Sequence, residues 1–116
     1  MTTRDEEEQI VSFFEQKQRN RDLVIYACTS GYPVSFDEVC LLELPRLRQT
    51  FGERVGAIGF SGHHLGIAVD SAAVALGAEF IERHFTGPGK EPIMRHRSNR
   101  TACASWCVTA KPYGGP

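Results

Sequence analysis

Hydrophobic positions follow two rhythms along the first 86 residues. Near-continuous apolar runs at Leu23–Cys28 and Val55–Phe60 read as strands buried on both faces, and Glu79–Phe85 reads as a third. Helical spacing fills the intervals. Thr3-Arg4-Asp5-Glu6 has the form of a capping box, and Ile10, Val11, Phe13 and Phe14 supply an apolar face, which predicts a helix over residues 4–18. Val39, Leu42, Leu44, Leu47 and Phe51 predict a second helix within residues 36–51, closed by Gly52. Pro45 falls inside that pattern, so the helix either restarts there or kinks. Residues 65–76 predict a third helix, ended by Gly77. The order α-β-α-β-α-β fits a (β/α) barrel or a doubly wound sheet.

The pattern stops near residue 86. Residues 87–116 contain four Gly and four Pro, with only Ile93 and Val108 as aliphatic side chains larger than alanine. That is too little apolar material for a core, and an irregular tail is expected. Charge divides at the same place. Residues 1–86 carry 8 Lys/Arg against 13 Asp/Glu, and residues 87–116 carry 5 against 1. The chain therefore reads as a foldable unit over 1–86 followed by a tail of different character.

Other class signals are mostly exclusions. No apolar run reaches 18 residues, so no membrane-spanning helix is expected. The acidic start, Asp5 to Glu8, lacks the basic and apolar stretches of a signal peptide, and a cytoplasmic location is expected. The tail cations lack a folded basic face, which argues against nucleic acid. Cys28 and Cys40 lie in apolar surroundings and read as reduced small hydrophobes. Cys103 and Cys107 provide two ligands where structural zinc normally takes four.

Two histidines carry the candidate chemistry. His63 follows the second apolar run and His84 falls near the end of the third. A strand–helix–strand unit makes parallel neighbours about 4.8 Å apart, with their C-terminal ends on one side. Two imidazoles at those ends could share one divalent metal. Strand-end histidines bonded to loops would have the same spacing, and His64 reads as structural or exposed.

Three segments together narrow this reading. Cys28-Thr29-Ser30-Gly31-Tyr32-Pro33, Gly59-Phe60-Ser61-Gly62-His63-His64-Leu65-Gly66-Ile67, and Ala73-Val74-Ala75-Leu76-Gly77-Ala78 running into Ile81-Glu82-Arg83-His84-Phe85-Thr86 resemble the N-acetylneuraminate (sialic acid) synthase family. The resemblance covers residues 2–86. It implies part of a (β/α)8 TIM barrel, about strands 6–8 with their helices. It also implies condensation of phosphoenolpyruvate with N-acetylmannosamine or a related N-acyl sugar, assisted by Mn2+ or Mg2+. On this resemblance His63 and His84 match metal ligands, while Ser30, Tyr32 and Ser61 match substrate-contacting positions. Glu82 matches an acidic residue of the last strand, with a role in charge balance or proton handling. A surface ion pair with Arg83 is the plainer reading of Glu82. Gly62 departs from the aspartate many members carry there.

The resemblance also bears on activity. The family's phosphoenolpyruvate-binding lysines and glutamate belong to strands with no counterpart in this chain, so the chain alone is expected to be inactive. An alternative is a non-catalytic α/β module that self-associates through open sheet edges or joins a complementary half-barrel.

The break at Thr86 has a specific reading. Family members continue after His-Phe-Thr with a segment like LDRTWKGTDHAAS. Codons can be chosen for Thr86–Arg97 whose reading two bases later yields RTWKGTDHAAS, so a frameshift near Thr86 is expected to have produced residues 87–116.

Overall fold

The computed structural model describes residues 2–85 and 104–109. Helix α1 (Arg4–Gln16) begins on the expected capping box. The Thr3 hydroxyl accepts from the Glu6 backbone N–H, and the Glu6 carboxylate accepts from the Thr3 N–H. The alternating chain continues through β1 (Val24–Cys28), α2 (Glu43–Phe51), β2 (Ala57–Gly62), α3 (Ala68–Ala75) and β3 (Phe80–Phe85). Strands β1, β2 and β3 are parallel and adjacent in that order.

Pro45 sits in the first turn of α2, where a missing N–H costs no hydrogen bond, so the restart is what occurs. Residues 36–42 form turns instead of helix. Gly77 follows α3 with φ +96°, a left-handed position that favours glycine at a helix end.

The two sheet faces have different work. Ala27, Ile58, Phe60 and Ile81 meet Val11, Leu44, Leu47, Phe51 and Ala73 in one buried cluster on the helical side. Arg46 pairs with Glu7, and Arg54 pairs with both Glu8 and Glu15, tying α1 to α2 and the turn after it. The expected apolar face of α1 narrows to one residue. Val11 is fully buried, while Phe13 and Ile10 are exposed.

Two further expectations need correction. Cys28 and Cys40 are free thiols but exposed, because each stands where a strand or turn leaves the core. Within the tail expected to be irregular, Ala104–Thr109 forms β4, antiparallel to β3. Trp106, Val108 and Thr109 are good strand formers, and the outer edge of β3 offers unpaired backbone groups. That edge is therefore covered, whereas β1 has one strand neighbour among the described residues. Cys103 and the rest of the tail lie outside the described residues. The described sheet is an open four-stranded one, not a closed barrel.

Candidate metal centre

Register assembles the site. Ser61 lies opposite Glu82 on the neighbouring strand, and Gly62 lies opposite Arg83. Side chains alternate across a strand, so residues two apart share a face. Ser61 and His63 therefore stand beside Glu82 and His84 on the face away from the helices. Gly62, His64 and Arg83 belong to the opposite face.

On the first face, one ligand atom from each of His63, Glu82 and His84 lies within 4.8 Å of the others. The imidazole centroids of His63 and His84 are 5.0 Å apart. The Tyr32 ring covers both, at 5.3 Å from His63 and 4.6 Å from His84. Its loop is tied down where the Val34 N–H donates to the His63 carbonyl at 2.9 Å. Ser61 Oγ donates to Glu82 Oε2 at 2.6 Å. Five of the six residues singled out from sequence thus converge, and Ser30 stays exposed on the Tyr32 loop.

The donor set fits a divalent cation. Glu82 Oε1 is buried and finds no hydrogen-bond partner among the described residues, and a carboxylate oxygen of Glu82 lies within 4.8 Å of ligand nitrogens of both histidines. A buried carboxylate oxygen without a partner is costly unless something cationic completes it. Two imidazoles and one carboxylate form a mixed N/O donor set of the kind that divalent metals take. Burial holds the His84 pKa below the ordinary histidine value, helped by His63 and Arg83 and opposed by Glu82. The ring is thus kept in its neutral, metal-competent form.

The opposite face holds a cluster that sequence reasoning missed. His64 is fully buried, near the rings of Phe36 and Phe60. Arg83 Nη1 lies 3.1 Å from the His64 ring nitrogens, and Arg83 Nε lies 3.6 Å from Asp70 Oδ2. Burial, then Arg83, lowers the His64 pKa, while Asp70 acts against them. The Asp70 pKa is raised by burial, which outweighs Arg83 and His64. The pairing of Glu82 with Arg83 considered from sequence gives way to pairing of Arg83 with Asp70, because adjacent strand residues face opposite ways. The strand alternation was the available signal for it.

Comparison with known proteins agrees with this architecture. A model described as NeuB family matches residues 1–98. The chain belongs to the NeuB family. A Drosophila melanogaster relative named N-acetylneuraminate-9-phosphate synthase is 40% identical over 97 residues, covering 84% of this chain and 25% of that protein. A Campylobacter jejuni pseudaminic acid synthase is 35% identical over 85 residues, covering 73% of this chain and 24% of that protein. The crystal structure of a Leptospira borgpetersenii N-acetylneuraminic acid (sialic acid) synthetase, in complex with citrate, superposes with a TM-score of 0.63. It is 30% identical and covers 72% of this chain and 27% of that one. This NeuB-family chain thus spans about a quarter of the length of the relatives it matches. Their names place the family in sugar-acid synthesis. No helix among the described residues is long and apolar enough to cross a membrane.

Proposed function

We propose that this chain carries the metal-holding portion of a cytoplasmic sugar-acid synthase that condenses phosphoenolpyruvate with N-acetylmannosamine or a related N-acyl sugar. The products are N-acetylneuraminate, or its counterpart, and phosphate. The supporting observation is the convergence of His63, Glu82 and His84, with Glu82 Oε1 buried and without a hydrogen-bond partner among the described residues. His63, His84 and Glu82 would hold Mn2+ or Mg2+. When bound, such an ion supplies Lewis-acid polarisation of the sugar carbonyl.

The chain's own residues have distinct parts in this reading. Ser61 fixes one oxygen of Glu82 and leaves the other without a hydrogen-bond partner among the described residues. Tyr32 walls the two histidine rings and limits water on that side. Ser30, exposed on the same loop, would meet a substrate hydroxyl. The anionic groups of phosphoenolpyruvate need cationic or N–H donors. This chain covers only a quarter of its relatives, so by itself it binds the ion but does not turn over.

A second reading is a non-catalytic module that self-associates or completes a half-barrel. The edge of β1, unpaired among the described residues, together with exposed Phe36, Leu42 and Ile67, favours it. Sizing chromatography, Mn2+ titration and an assay of phosphate release from phosphoenolpyruvate separate the two. Mn2+ binding that His63→Ala and His84→Ala abolish supports the metal reading. An oligomer without metal affinity supports the module. Phosphate release by a monomer of this chain would overturn the inactivity.

A further inference from the structure

We infer that Arg83 is a positioning residue for His63, acting from the face opposite the metal-ligand cluster; the inference rests on the metal reading above. One guanidinium gathers the backbone on both sides of His63. Arg83 Nη1 donates to the Gly62 carbonyl at 3.1 Å, and Nη2 donates to the His64 and Gly66 carbonyls, each at 2.9 Å. The carbonyl between them, that of His63, accepts from Val34 N–H. His63 itself lies past the end of β2, where only the isolated bridge between Val34 and His64 continues the pairing. The carbonyls of Gly62, His64 and Gly66 are satisfied by one rigid, planar donor, a geometry that suits arginine.

The placement of Arg83 couples the two ligand-bearing segments. It sits between Glu82 and His84 on β3, so the strand that presents those two side chains also grips the loop presenting the third. Asp70 on α3 and the His64 ring hold the guanidinium from behind. Gly62 leaves room for the grip. A Cβ there would come within 2.8 Å of Arg83 Nη1, 2.9 Å of the His64 ring and 3.0 Å of Asp70 Oδ1.

The test uses the full chain, Mn2+ alone as probe, and the variants Arg83→Met, Arg83→Gln and Arg83→Lys. Free Mn2+ is read by electron paramagnetic resonance, and amide exchange is followed over residues 62–66 and 80–84. Outer-shell partners of metal ligands typically contribute about 10–100-fold in affinity. Arg83→Met is expected to weaken Mn2+ binding by at least about tenfold, with Arg83→Lys recovering part of the loss. Exchange should accelerate over 62–66 while 80–84 stays protected, an asymmetry that a general loosening would not produce. If Arg83→Met does not fold, Arg83→Gln decides, and wild-type affinity in that variant overturns the inference. Wild-type affinity in a folded Arg83→Met does the same. A parent chain that takes up no Mn2+ defeats the metal reading itself, whereas a parent that binds and variants that match it defeat only the role of Arg83.

Discussion

Ser61 Oγ donates a 2.6 Å hydrogen bond to Glu82 Oε2, joining residues 21 apart in sequence that lie opposite each other on neighbouring parallel strands. The bond commits one carboxylate oxygen and leaves Oε1 buried without a hydrogen-bond partner among the described residues, in a side chain clustered with His63 and His84. It thereby orients the Glu82 carboxylate on that face.

Removing that orientation should cost affinity more than stability. Ser61→Ala is expected to weaken Mn2+ binding about tenfold, as loss of an outer-shell partner does. The fold should lose only about 1.5–3 kcal/mol, the value of one hydrogen bond to a charged group. Isothermal titration with Mn2+ and urea unfolding of the same variant check the two effects. Equal affinity for both proteins would mean that the bond does not orient Glu82.

Acid should destabilise the metal-free chain through its histidines. Burial lowers the folded-state pKa of both His64 and His84 below 6.5, so the unfolded chain binds protons first as pH falls. Their contribution is fully present above about pH 6.5 and is lost as pH falls from there through the lowered folded values. Asp70 has the opposite sign. Its raised pKa gives a contribution present below 3.8 and lost as pH rises through the folded value. Urea midpoints in a chelator should therefore fall between pH 7.5 and 5.5, and His64→Gln should flatten that slope. Mn2+ affinity should fall over the same range as protons compete for His84.

The core should tolerate little trimming. Phe51 is 2% exposed and lies in the cluster shared by α1, α2 and the sheet, with the Arg54 guanidinium 5.6 Å from its ring centroid. Phe51→Ala should cost about 3–5 kcal/mol, a large share of the stability of so small a fold. Thermal melting monitored by circular dichroism would show it as a broad, lowered transition. An unchanged transition would place the stability elsewhere.

The coding DNA around Thr86 is the remaining test. A frameshift there predicts that the natural codons of Thr86–Arg97, read two bases later, encode a segment like RTWKGTDHAAS. Sequencing the gene decides this, and codons that give no such segment end the idea.

The local rhythm made much of this protein legible from its residues alone. Continuous apolar runs marked the strands, although β1 is largely half-buried, and the capping box at Thr3 and the glycine at 77 bound helices for reasons contained within a few residues. The 21-residue interval between His63 and His84 reflected the strand–helix–strand unit that brings their ends together. Tertiary structure decided the rest, because it depends on register and on which face a side chain meets. Register set Ser61 against Glu82 and laid Ala104–Thr109 along β3, while helix packing buried Val11 and left Phe13 exposed. Tertiary packing also gave Arg83 three loop carbonyls as partners. A strand's alternation is written in its sequence, but the partner that waits on each face is supplied by distant chain.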